Sequence, residues 1–155
     1  MVKVRTAAEM EKEVLAAYPG SGLVVMAAAV SDFRFTGTAR QKIGKRGLAG
    51  KVDLVETRDI LKTLGEKKKG KVLVGFAAET EKTVPNAFRK MKEKRLDLIV
   101  ANNVGEEGIG FESDDNKVFI IRSDGKVLPT EKMSKREISR VVLDQIEAVI
   151  EEKRK

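Results

Sequence analysis

Apolar and polar positions along the chain change period several times, and each change marks an element. Residues 23–30 form an unbroken apolar run with β-branched side chains and no charge. That is the pattern of a strand covered on both faces of a parallel sheet. Residues 71–78 and 96–101, apolar apart from Lys71 and Asp97, read as two further strands, and the segments between these runs carry apolar residues at helical spacing. Thr6 and Glu9 have the spacing of a capping box, which predicts a helix to Tyr18 with Met10, Val14 and Ala17 inward and Pro19-Gly20 as its stop. Thr57 is placed to cap a second helix running from Arg58 to the cluster Lys67-Lys68-Lys69, whose charges complement the helix dipole. Residues 84–94 predict a basic helix with Pro85 in its first turn. Residues 117–121 and 126–128 flank Ser123-Asp124-Gly125 as a hairpin. Ser134 and Glu137 make another capping box before a helix with Ile138, Val141, Val142, Ile146, Val149 and Ile150 on one stripe. Val2-Lys3-Val4 reads as the tail of a strand, and residues 51–55 alternate as a short one.

Strands alternating with helices predict an α/β domain over residues 1–155. Its expected form is a three-layer, mainly parallel Rossmann-like sheet with an antiparallel hairpin near the C-terminus. Composition narrows the chemistry. Of the 155 residues 41% are hydrophobic and 35% charged, a globular balance. Cysteine and histidine are both absent. Thiol nucleophiles, Ser–His triads, imidazole bases and the usual zinc sites are therefore excluded. Any metal must be a hard, oxygen-bound cation, with Mg²⁺ carried in by phosphates the expected case. The net charge of +7 favours an anionic partner. Only 5% of residues are aromatic and no nucleic-acid motif is present, which argues against nucleic acid. No apolar run is long enough for a bilayer and no leader is seen, so a soluble, cytoplasmic protein is expected.

Ligands of open α/β sheets sit beyond the carboxyl ends of the strands. The run at 23–30 releases Ser31 and Asp32 there, then a basic loop at 40–47. Lys42 in that loop can reach a polyphosphate and neutralise developing charge. Asp32 can accept ligand hydrogen bonds or help hold a cation. Lys90 and Lys94, four apart, can present two cations to one phosphate chain. The helix start Arg58-Asp59-Ile60-Leu61 offers backbone N–H groups to an anion or a base edge, and Phe76 stands where it could meet a base.

These residues lie in motifs that resemble a known family, phosphopantothenoylcysteine synthetase, over nearly the whole chain. The motifs are Ala28-Ala29-Val30-Ser31-Asp32-Phe33-Arg34, Lys42-Ile43-Gly44-Lys45, Arg58-Asp59-Ile60-Leu61, Gly75-Phe76-Ala77-Ala78-Glu79-Thr80, the strand at 96–102, and Gly110-Phe111-Glu112-Ser113-Asp114-Asp115-Asn116. Gly44 and Arg58 depart from the family's usual Lys and Pro. The resemblance implies CTP-dependent joining of 4′-phosphopantothenate and cysteine through an acyl-cytidylate, a step of coenzyme A biosynthesis. By this resemblance Lys42 is the catalytic flap lysine. Met26, Ala27, Ala28, Asp32, Arg58, Asp59, Ile60, Leu61, Phe76, Lys90 and Lys94 join it in binding the nucleotide, and Asn102 and Asp114 belong to a substrate or structural loop. Mg²⁺ is expected to come with the triphosphate, with no metal site made by the protein alone and Asp32 as the candidate contact. The family's opening glycine-rich βα unit and its N-x-x-S-S-G motif are not found, so the chain reads as the C-terminal portion of the synthetase domain, catalytically incomplete alone. The flavin-dependent decarboxylase partner domain is also not found, and FMN is not expected. A homodimer is implied, with the hairpin at 117–128 contributing. Two other readings compete with the ligase: a non-catalytic nucleotide-binding module and a basic nucleic-acid-binding domain.

Overall fold

A computed structural model describes residues 1–37, 52–105 and 114–154. Its centre is a five-stranded sheet of β1 (Leu23–Met26), β4 (Val72–Glu79), β5 (Leu98–Asn103), β7 (Val118–Arg122) and β8 (Val127–Pro129), in that spatial order. β1, β4 and β5 run parallel, with Val25 beside Val74 and Phe76 beside Val100. The hairpin β7–β8 continues the sheet in the antiparallel sense. Two smaller pairs stand apart: β2 (Phe33–Phe35) with β3 (Leu54–Glu56), and β6 (Asp115–Asn116) with β9 (Met133–Ser134).

Alternation along the strands sorts the core into two sides. Leu73, Ala77, Ile99, Ala101 and Ile121 face α1 (Ala7–Ala17), α2 (Ile60–Glu66) and α3 (Thr83–Glu93), meeting Ile60, Leu61, Leu64, Ala87 and Met91. Val72, Val74, Leu98, Val100, Val118 and Ile120 face α4 (Lys135–Arg154), meeting Ile138, Val142, Ile146 and Val149. The expected three layers are thus helices, sheet and one long helix. Both capping boxes form: Thr6 Oγ1 accepts from Glu9 N at 3.1 Å, and Ser134 Oγ accepts from Glu137 N at 3.2 Å.

Several expectations are corrected. The run at 23–30 is a strand only through Met26, and it is not covered on both faces, since Val25 is 44% exposed; among the described strands β1 lies at the sheet's edge. Val2, Lys3 and Val4 form no strand and are exposed, with no neighbour to pair with among the described residues. Phe33 to Phe35, for which the sequence pattern predicted no element, pairs with the strand predicted near 51–55, which is centred on Val55. The second helix is capped by Asp59, not Thr57, and has no basic residue in its last turn. Lys68 instead reaches across the base of the sheet to Asp97. In the first helix Leu15 joins Met10 and Val14 against the core, while Ala17 is exposed.

Candidate functional site

The carboxyl ends of β1 and β4 open onto a cavity of about 240 Å³. Strand β1 brings Met26 to it, and the chain beyond adds Ala28, Ala29, Val30, Ser31 and Asp32. The turn into α2 supplies Thr57, Arg58, Asp59, Ile60 and Leu61; β4 supplies Phe76, Ala77 and Ala78; α3 and its C-cap supply Lys90 and Lys94. The turn is held to the β1 side by Thr57 N, which donates to Asp32 O at 2.8 Å. Every nucleotide-binding residue named from the sequence and described in the structure therefore lines one cavity, except Ala27. Ala27 lines an adjoining apolar cavity of about 530 Å³ between the sheet and α4. Asn102 lines that second cavity too, and Phe76, 44% exposed, forms part of both. Asp114 is exposed beside the start of α4, where its backbone O accepts from Lys135 N at 3.1 Å. Lys42, with the rest of the loop at 40–47, and residues 110–113 of the last motif lie outside the described residues.

The electrostatics differ from the simple expectation of free cations. Lys90 Nζ lies 2.7 Å from Glu79 Oε1, and Lys94 Nζ lies 2.9 Å from Asp59 Oδ2. Both lysines border the cavity, but each is already paired with a carboxylate. The helix start is also less open to an anion than its sequence implied, because Asp59 Oδ1 accepts from Lys62 N at 2.9 Å. Burial alone would raise the Asp59 carboxyl, but the Lys62 N–H and the Lys94 ammonium outweigh it and hold it below its ordinary value. Among the described side chains at the cavity Arg58, Lys90 and Lys94 are balanced by Asp32, Asp59 and, behind Lys90, Glu79. Thr57 Oγ1 is buried at the wall with no hydrogen-bond partner among the described residues, a polar atom in position for a ligand. Sequence reasoning gave Glu79 no role and Thr57 only that of a helix cap. Glu79 stood inside a quoted motif, and a carboxylate closing a buried strand was the signal that could have found it.

The profile of the family described as "DNA/pantothenate metabolism flavoprotein C-terminal domain" matches residues 1–150. The chain belongs to that family. It is 43% identical over 148 residues to the coenzyme A biosynthesis bifunctional protein CoaBC of Bacillus subtilis, covering 96% of this chain and 36% of that protein. It is 38% identical over 148 residues to a cysteine/cysteine sulfinic acid decarboxylase of an unknown prokaryotic organism, covering 94% of this chain and 41% of the relative. The crystal structure of the C-terminal domain of a CoaBC superposes with a TM-score of 0.79 at 34% identity, over 97% of this chain and 66% of that one. The chain thus spans 36% and 41% of the length of the Bacillus subtilis protein and the decarboxylase. The family expected from the six motifs is the family found, and the mixed five-stranded fold is that of the CoaBC C-terminal domain. Among the described residues no helix of the family domain is long and apolar enough to cross a membrane.

Proposed function

We propose that this chain carries the nucleotide site of a CTP-dependent ligase joining 4′-phosphopantothenate to cysteine in coenzyme A biosynthesis. The observation that carries the reading is the convergence of three separate motifs and the Lys90–Lys94 pair on one cavity at the carboxyl ends of the strands. Similarity to CoaBC proteins supports the pathway. The charge of the chain suits a triphosphate and an acidic substrate.

In this reading the substrate carboxylate attacks the α-phosphorus of CTP and pyrophosphate leaves. The cysteine amine then displaces CMP from the acyl carbon to form the amide. Such chemistry needs positioning and charge neutralisation more than a histidine base. Lys90 and Lys94 face the phosphates and Phe76 walls the base, while Lys42, from the loop at 40–47, neutralises charge at the reacting phosphate. Thr57 Oγ1 offers a hydrogen bond to the bound nucleotide. Mg²⁺ enters with the triphosphate, and the wall carboxylates of Asp32 and Asp59 are oxygen donors of the kind it prefers. A cytoplasmic homodimer completes the proposal. Its support is exposed apolar surface on Phe33, Phe35 and Leu54 of the small β2–β3 ribbon and on Val127 and Leu128 of the edge strand β8.

Calorimetric titration with CTP and ATP in the presence of Mg²⁺, repeated on Lys42→Ala, tests the nucleotide reading. Selective CTP binding that the substitution weakens is expected; equal binding of both nucleotides, or of neither, would overturn it. Light scattering that returns the mass of one chain would remove the dimer.

A further inference from the structure

We infer that Glu79 is a positioning residue for the nucleotide's phosphates: a largely enclosed carboxylate, standing behind the cavity wall, that fixes the direction in which Lys90 presents its charge. The inference rests on the nucleotide reading above and assigns a role inside that site. Glu79 closes β4, and its backbone is fixed by sheet pairing with Asn103 and by Val104 N donating to its O at 2.8 Å. Its side chain is 10% exposed and does not line the cavity, whereas Lys90 does. One oxygen, Oε2, accepts from Asn86 Nδ2 at 3.3 Å, and the same amide donates to Glu81 O at 3.0 Å. The other, Oε1, has the Lys90 ammonium at 2.7 Å and no aligned hydrogen bond, so this contact is charge on charge.

A carboxylate so enclosed is costly without a counter-charge, and among the described residues Lys90 is the cation paired with it. The ammonium is drawn toward Glu79 on one side and keeps its other side toward the cavity. Lys94 is held differently. Its partner Asp59 is itself part of the cavity wall, and its side chain is 39% exposed. Lys94 can exchange its partner for a phosphate with little rearrangement, while Lys90 is anchored from behind. The pocket thus pairs one preset cation with one adjustable cation.

Two effects of neutralising Glu79 have opposite signs, which makes the inference testable. By long-range charge alone, Glu79→Gln leaves the pocket more positive and tightens an anion. If Glu79 positions Lys90, the same change lets the ammonium wander and weakens the anion. Calorimetric titration of CTP with Mg²⁺ and of uncharged cytidine should be run on the parent chain, Glu79→Gln, Lys90→Gln and the double variant. We expect Glu79→Gln to weaken CTP about three- to fivefold, within the range of a partly exposed ion pair, with cytidine unchanged and no further loss when added to Lys90→Gln. Glu79→Asp keeps the charge but withdraws it by one methylene, and should also weaken CTP; it serves as a second variant if Glu79→Gln fails to fold. CTP binding that is unchanged or tighter in Glu79→Gln, equal to the parent in Glu79→Asp, or lowered equally in the Lys90→Gln background overturns the inference and leaves the nucleotide reading intact. If the parent chain binds neither CTP nor cytidine, the nucleotide reading fails and takes this role with it.

Discussion

At the amino end of β5, Asp97 is 3% exposed and receives Lys68 Nζ and Lys153 Nζ, each at 2.7 Å. It also receives Leu73 N at 2.8 Å. One carboxylate there ties the end of α2, the start of β4 and the last turns of α4 together. At the carboxyl ends of the strands, Glu79 and Asp59 also hold lysines, but one lysine each, beside a cavity and partly in water. The two arrangements use the same side chains for different ends. The buried node has its hydrogen bonds filled by the protein, and burial even holds the Lys68 ammonium below its ordinary value despite the pull of Asp97. The cavity pairs border open space, and Thr57 Oγ1 has no hydrogen-bond partner among the described residues. A satisfied constellation stabilises the fold, and an unsatisfied one has capacity left for a ligand.

Removing one member from each end separates these roles. Asp97→Ala leaves two lysines without their carboxylate and Leu73 N–H without its acceptor, so chemical denaturation should show a loss of about 3–5 kcal/mol. CTP affinity, measured where the variant remains folded, should not change. Gly65→Ala is the substitution that should break the separation. Its Cβ would lie 2.0 Å from the backbone O of Lys94, forcing α2 away from the end of α3. We expect a loss of about 1–3 kcal/mol by denaturation, together with weaker CTP binding because Lys94 moves.

The smallest effect is expected at Asp59. Its folded pKa is depressed below the ordinary 3.8, so its stabilisation is present above that value and is lost as pH falls through the folded value. Acid titration of stability should therefore be flatter in Asp59→Asn than in the parent below about pH 4, by less than about 1 kcal/mol because the pair is well solvated. An unchanged acid profile would mean that the Lys94 and Lys62 contacts contribute nothing in solution.

Much of the fold was legible because its signals are local. The capping boxes at Thr6 and Ser134 span three residues, and the α4 stripe follows from helical period alone. The nucleotide-site residues were legible through motifs that each sit at a strand end, a place that sheet topology makes common to all of them. Less legible were the partners of the lysines. Lys68 resembled a dipole-complementing lysine, and Lys90 and Lys94 resembled free cations, because nothing within a few positions marks Asp97, Glu79 or Asp59 as their counter-charges.

By itself, then, the sequence determined the apolar strands, the capped helices, the absence of thiol and imidazole chemistry, and the family motifs. These depend on neighbours close in the chain or on residue identity alone. Tertiary structure decided that β1 is an edge among the described strands with Val25 exposed, that Phe33–Phe35 pairs with Leu54–Glu56, and that Lys90 is held from behind the cavity while Lys94 is held by its wall. Those outcomes depend on which distant segments meet. An ion pair between residues far apart in the chain has no periodicity to announce it.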